Sequence, residues 1–315
     1  MNSSLLKGRG VTLDASRPTI VGIVNATPDS FSDSGERTPS AWIENALACY
    51  EAGADIVEVG GESNVSNRPP VPAAEEIERV VPVVAALAAA GATVTIDTHR
   101  AETAAAAVEA GAAFVNDIDG MREPAMVEVC AETGAGVILM HTQTPPKTPL
   151  WDDELYPGGV IEHVIEFFEE RLAALAAAGI ERDRVVLDIG PDFAKTPHQT
   201  VAALRRLDRL APLGCPLMLA ISRKDFIGAL TGRKPRERDA GTAAALAAGL
   251  RHGARLLRVH DVEATVDFLR VWEALEGEAE VPVELRIGEA VRREEAAPPP
   301  GGAGSADGEP AQGRL

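Results

Sequence analysis

Basic charge is what this sequence has least of: 30 Lys and Arg stand against 48 Asp and Glu, a formal net charge of -18. Binding along a nucleic-acid backbone needs a broad basic face, so that partner class is not expected, while a small anion held by a local cluster stays open. Cysteine is scarce as well. Cys49, Cys130 and Cys215 lie far apart with no CxxC or metal-ligand spacing, which argues against a disulfide framework or a zinc site and for a reducing compartment. The opening MNSSLLKGRG holds no apolar signal core, and no hydrophobic run approaches the length of a bilayer span, so a cytoplasmic protein is expected. Acidic runs such as Glu75, Glu76 and Glu78, or Glu166, Glu169 and Glu170, read as solvated helix faces.

What is present is ordinary globular material, 45% hydrophobic and 25% charged, enough for a sizeable core. Eight short apolar runs recur along it: Ile20 to Val24, Ile56 to Val59, Val94 to Ile96, Ala113 to Val115, Val137 to Met140, Val185 to Leu187, Leu217 to Ile221 and Leu256 to Val259. Between them lie amphipathic helical segments, among them Ala41 to Ala52, Ala73 to Ala89, Ala101 to Ala110, Val160 to Ala178, Val201 to Leu210 and Gly241 to His252. Strands that alternate with helices pair in parallel, and continuous apolar runs mark strands covered on both faces. Eight such units predict a single-domain (β/α)8 TIM barrel over residues 1 to 278. An open doubly wound sheet is the alternative, but its Gly-rich turn after the first strand is missing. Residues 279 to 315 read as a mostly disordered tail, because EEAAPPPGGAGSADGEPAQGRL has almost no large apolar side chain.

In such a barrel the chemistry sits at the C-terminal ends of the strands. The runs here end in Asn25, Gly60-Gly-Glu-Ser63, Asp97-Thr98, Asn116-Asp117, Met140-His141, Asp188, Ser222-Arg-Lys224 and Arg258-Val-His260. A single Asp or Asn after a strand is most often a helix cap or turn former. Eight polar ends in register point instead to one mouth, where Asp97, Asn116 and Asp188 can accept hydrogen bonds from a flat heterocycle and Lys224 offsets their charge. Ser222, Arg223, Lys224, Arg258 and His260 form a second, cationic group suited to an anion such as phosphate. Salt bridges from Arg223 or Arg258 to Asp225 or Asp261 are the structural alternative. The polar loop NATPDSFSDS, Asn25 to Ser34, follows the first run and adds an amide, hydroxyls and the carboxylates Asp29 and Asp33.

With these motifs the chain resembles the dihydropteroate synthase family from about Pro18 to Glu276. The segments that carry the resemblance are GIVNATPDSFSDSG from Gly22, GADIVEVGGES from Gly53, IDT from Ile96, ND at Asn116, SRKDFIG from Ser222 and RVHDV from Arg258. The resemblance implies condensation of 6-hydroxymethyl-7,8-dihydropterin diphosphate with p-aminobenzoate, in a cytoplasmic homodimer. It implies that Asp97, Asn116, Asp188 and Lys224 hold the pterin, and that Asn25, Arg258 and His260 hold the diphosphate, with Mg2+ at Asn25. Two loops would close over p-aminobenzoate with Phe193 and Ser222, one carrying Phe31 and Asp33, the other Arg68 and Pro69. Asp33, Arg68 and Lys224 would be the catalytic side chains.

Two segments depart from the family pattern. After the sixth run the family reads DPGxGFGK, whereas this chain reads DIGPDFAK, Asp188 to Lys195, with Asp192 and Ala194 in place of glycines. An extra anion beside an aminobenzoate carboxylate is unfavourable unless Asp192 turns outward or meets a cation. The second loop carries a three-residue insertion before Arg68. These departures keep a non-catalytic pterin-diphosphate-binding paralogue as the alternative function, ahead of a pterin-dependent methyltransferase.

Overall fold

The computed structural model describes residues 5–27, 38–63, 69–288 and 291–292. The chain divides into two units, Met1–Trp272 and Glu273–Leu315. The first contains a closed barrel, and most of the expected tail, from residue 293 onward, lies outside the described residues.

The chain begins with a short antiparallel hairpin, β1 (Leu5–Gly8) and β2 (Val11–Asp14). Eight parallel strands follow: β3 (Thr19–Asn25), β4 (Ile56–Gly60), β5 (Thr93–Asp97), β6 (Phe114–Asp117), β7 (Gly136–Met140), β8 (Val185–Asp188), β9 (Leu217–Leu219) and β10 (Leu256–Val259). β10 pairs with both β9 and β3, which closes the ring and leaves the barrel without an edge. Around it run α1 (Pro39–Glu51), α2 (Ala73–Ala89), α3 (Ala101–Ala110), α4 (Pro124–Thr133), α5 (Val160–Ala177), α6 (Pro197–Leu204), α7 (Asp225–Thr231), α8 (Asp239–Arg251) and α9 (Val262–Glu276). All eight expected strands are present, and the order is that of a TIM barrel.

Strand parity explains why the runs are apolar throughout. Val57 and Val59, Val94 and Ile96, Val115, Val137 and Leu139 pack outward with the helices in one large core. Their neighbours Val21, Ile56, Phe114, Ile138, Val186, Met218 and Leu256 form a separate inner cluster. Burial on both faces hides the period of two that would otherwise announce a strand. The same parity places Glu58, Asp97, Asn116, Asp188 and Arg258 on the inward face, above that inner cluster.

The hairpin was not foreseen, and it has a definite task. Leu6, only 1% exposed, joins the inner cluster, so the hairpin stoppers the end of the barrel opposite the mouth. Its approach is close: a Cβ on Gly136 would fall 2.8 Å from the Lys7 carbonyl oxygen and closer still to the Phe114 ring, so only glycine fits there.

Two other expectations change. The helix expected at Val201 to Leu210 starts earlier, at Pro197, because Thr196 and Gln199 form a reciprocal capping box; a 3-10 segment, Leu207–Leu213, follows. Glu76 is no solvated side chain. It is 1% exposed on α2 and accepts from Arg100 Nη1 and Thr103 Oγ1, each at 2.9 Å, which ties α2 to α3.

Truncation of the stopper, Leu6→Ala, is expected to lower unfolding free energy by about 2–4 kcal/mol, as for other fully buried leucines. Urea denaturation measures it, and a loss well under ~1 kcal/mol would show that Leu6 is not part of the barrel core.

Candidate active site

The inward polar groups at the mouth form one connected network whose hub is Glu58, a residue that the motif reading left without a role. Glu58 is 1% exposed on β4. Its Oε1 accepts from Arg258 Nε and Nη2, and its Oε2 accepts from Asn116 Nδ2 at 2.9 Å. Arg258 Nη2 also donates to Asp97 Oδ2 at 2.9 Å. Arg258 therefore pairs with neither Asp225 nor Asp261. Its Nε and Nη2 are engaged, while Nη1 has no partner among the described residues. Burial raises the Asp97 carboxyl to about 7, and the Glu58 charge adds to that, against the opposing pull of Arg258. The expected pterin and diphosphate groups thus share a cation rather than standing apart. The signal for Glu58 was its setting: an acid between Val57 and Val59 in a strand covered on both faces needs a buried partner.

The other amide atom of Asn116, Oδ1, is buried and has no hydrogen-bond partner among the described residues. Asp188, at the end of β8, accepts from Gly190 N at 2.9 Å through Oδ1, and burial raises its pKa while Lys224 and Arg258 oppose the rise. Three acceptors from β5, β6 and β8 therefore meet at the mouth, as the sequence suggests.

The segment after Asp188 folds as a glycine-type loop with side chains at glycine-type positions. Gly190 (φ 63°) admits no Cβ, since one would fall 2.1 Å from the His141 carbonyl oxygen. Asp192 and Ala194 also hold positive φ, 65° and 47°, where an L-residue carries strain. Asp192 offsets its strain by capping α7: its Oδ2 accepts from Asp225 N at 2.6 Å and Phe226 N at 3.3 Å, and its Oδ1 from Thr200 Oγ1 at 3.3 Å. The carboxylate is spent on backbone amides, which answers the concern about a stray anion in the mouth. Below the loop, Lys195 is buried and its Nζ bonds His141 Nδ1 (2.8 Å), Gly190 O and Phe193 O (both 3.1 Å) and His141 O (3.3 Å). Burial pushes this ammonium down to about 7. Lys195 so pins the loop that carries Phe193, whose ring lies 4.3 Å from Lys224 Nζ.

On the anion side the residues separate. Arg223 makes a two-pronged pair with Asp239, Nε to Oδ1 at 2.7 Å and Nη2 to Oδ2 at 3.1 Å, so it is structural, though its partner is not one of the acids expected. Asp225 pairs with Arg238 at 2.8 Å. Ser222 Oγ lies 3.0 Å from His260 Nδ1. His260 keeps an exposed edge, yet desolvation and then the nearby Arg258, Arg223 and Lys224 cations bring its pKa down to about 4. These cations favour the neutral ring in the ligand-free protein, and His260 would donate as a cation only once an anion balances them. Asn25 ends β3 in an exposed position; its Oδ1 and Asp97 Oδ2 lie 3.6 and 4.0 Å from where a Cβ on Gly60 would stand.

Of the residues expected on the two closing loops, Phe31, Asp33 and Arg68 lie outside the described residues, as do the inserted positions 64–66. Pro69 is exposed, and its carbonyl accepts from Lys147 Nζ at 3.3 Å. Glu62, at the other end of that loop, pairs with Arg100 at 2.6 Å and with Lys147. Burial would raise the Glu62 carboxyl, but these two cations hold it below its ordinary value. Among the described residues no group of three or more His, Cys, Asp or Glu side chains could hold a metal ion.

The pterin-binding enzyme family model matches residues 21–260. The dihydropteroate synthase of Escherichia coli is 38% identical over 275 residues, covering 85% of this chain and 95% of that protein. Among solved structures, the dihydropteroate synthase of Xanthomonas albilineans with 4-aminobenzoic acid superposes with a TM-score of 0.80 at 41% identity, covering 89% of this chain and 100% of the other. The same enzyme in complex with 7,8-dihydropteroate gives 0.75 at 38% identity, with the same coverage.

Removal of the α7 cap by Asp192→Ala is expected to lower stability by about 2 kcal/mol, through lost amide acceptors and an alanine left at positive φ. Thermal unfolding checks this. An unchanged midpoint would mean that the carboxylate is free to face the mouth.

Proposed function

The chain belongs to the dihydropteroate synthase family of pterin-binding enzymes, and from that membership we propose that its mouth joins 6-hydroxymethyl-7,8-dihydropterin diphosphate to p-aminobenzoate. The products are 7,8-dihydropteroate and pyrophosphate, a transferase step of folate biosynthesis. The observation that carries the assignment to this mouth is the buried Asn116 Oδ1, unpartnered among the described residues, on the same inward face as Asp97 and Asp188. Such acceptors call for a ligand edge rich in N–H groups, which a pterin supplies.

In this reading Asp97, Asn116 and Asp188 hold the pterin edge, with Lys224 against the ring. Arg258 Nη1, Asn25 and His260 face the diphosphate. The bond from the pterin methylene carbon to the diphosphate oxygen breaks, and its electrons leave with pyrophosphate. The positive charge left on carbon spreads into the ring, so the barrier falls when leaving-group charge is neutralised and the cation is faced by carboxylate. Asp33 is assigned that second task. The aniline nitrogen then forms the new bond and releases its proton. Phe31, Arg68, Pro69, Phe193 and Ser222 frame the aminobenzoate, with Arg68 for its carboxylate.

The Asn25 carbonyl oxygen is a hard, neutral ligand at the rim, and this suits Mg2+ held mainly by water and diphosphate rather than by a protein cage. When bound there, Mg2+ supplies charge neutralisation for the leaving diphosphate. A cytoplasmic setting accords with three free cysteines. A homodimer is part of the same proposal: Leu230 on α7 and Val271 on α9 are 70% and 61% exposed, apolar surface on the later helices that a second copy would cover. The capping role of Asp192 removes one of the two reasons for a non-catalytic paralogue.

The test is direct. Purified protein with Mg2+, the pterin diphosphate and p-aminobenzoate should release pyrophosphate and dihydropteroate in equal amounts; a folded sample that forms neither would overturn the synthase reading. Because Asp97 must be ionised to accept from the pterin, kcat/KM for the pterin diphosphate is expected to fall as pH drops below about 7. A pH profile that stays flat down to pH 5 would count against Asp97 in that role.

A further inference from the structure

Glu58 has no part in the chemistry just proposed, yet it decides how Asn116 faces the ligand. An ionised carboxylate only accepts hydrogen bonds. Arg258 brings two donors to Oε1, and the amide that meets Oε2 must approach with its nitrogen. Asn116 does so at 2.9 Å, and the oxygen of the same planar amide is thereby turned the opposite way, buried and without a partner among the described residues. An asparagine left to itself can flip by half a turn and offer a ligand either a donor or an acceptor. Held by Glu58, it can offer only the acceptor.

We propose that Glu58 is a positioning residue that sets the hydrogen-bond polarity of the pterin pocket, forcing Asn116 to present oxygen and so selecting a ligand that offers N–H at that point. The inference rests on the pterin reading of the mouth and deepens it.

An isosteric change reverses the polarity. In E58Q the new side-chain oxygen must still face the Arg258 donors, since an NH2 group there would meet N–H with N–H. Its nitrogen then points to Asn116, whose amide flips to answer with Oδ1 and turns Nδ2 toward the ligand. Adding N116D undoes the effect: the carboxylate accepts from the introduced amide with one oxygen and offers the other to the ligand. The double variant moves one negative charge from position 58 to position 116 and leaves the net charge unchanged.

The experiment is calorimetric titration of 6-hydroxymethyl-7,8-dihydropterin diphosphate, with Mg2+, into the wild type, E58Q and E58Q/N116D. E58Q is expected to bind about 10- to 100-fold more weakly, the range for opposing two donors in a buried site. The double variant is expected to bind about tenfold more tightly than E58Q, because an acceptor again faces the ligand. A role in barrel packing alone would show no such recovery. Wild-type-like binding by E58Q, or a double variant as weak as E58Q, would overturn the inference and leave the pterin reading intact. The double variant stands as the test even where E58Q folds poorly. Failure of the folded wild type to bind would overturn the pterin reading and this inference with it.

Discussion

A guanidinium lodged inside a barrel is the constraint from which the mouth of this molecule is built. An ion taken out of water costs several kcal/mol unless opposite charge and hydrogen bonds meet it. Arg258 is met from two other strands, by Glu58 on β4 and Asp97 on β5, and Glu58 passes the connection on to Asn116 on β6. Four of the eight strands are thus linked at the level where ligands bind, and each side chain is oriented by the one before it. The carboxylates hold Arg258 charged, its pKa driven upward, while Arg258 limits how far burial raises Asp97. Substitution anywhere in this chain of contacts changes structure and recognition together, because the same atoms serve both.

The shared cation also changes how the two halves of the pocket relate. Motif reading assigns Asp97, Asn116, Asp188 and Lys224 to a heterocycle and Asn25, Arg258 and His260 to an anion. In the folded protein Arg258 belongs to both groups. In the proposed reading the diphosphate meets Nη1 while Glu58 and Asp97 hold Nε and Nη2, and His260, its pKa lowered by three nearby cations, gains a reason to take up a proton once their charge is balanced.

Much of the architecture was legible because it depends on patterns that one sequence displays. Eight apolar runs, each closed by a polar residue, specify strands and mouth together, and amphipathic segments between them mark the helices. What stayed hidden depends on parity or on distance along the chain. Strands buried on both faces do not show which residues look inward, so Glu58 passed as part of a motif while Asp97 stood out at a strand end. The hairpin has only two four-residue strands, and Leu6, with Val11 and Leu13 half-buried beside it, makes an alternation too short to announce them. Lys195 matches its family motif, but its partnership with His141 joins residues 54 positions apart. The two missing glycines at 192 and 194 were rightly marked as unusual; composition alone could not say that Asp192 faces the amides of α7 and accepts from them. Phe31, Asp33 and Arg68 rest on the resemblance.

The hairpin stopper makes the barrel a vessel with one opening. In such a vessel position along the axis becomes order in time. In the proposed reading the heterocycle, seated against Asn116 and Asp188, lies deeper than the aminobenzoate and enters first. Pyrophosphate in that reading leaves past the same rim, because the inner cluster, with Leu6 beneath it, fills the barrel and leaves no rear exit. Entry and exit thus share one face because the opposite end is packed shut by a cluster that includes Leu6.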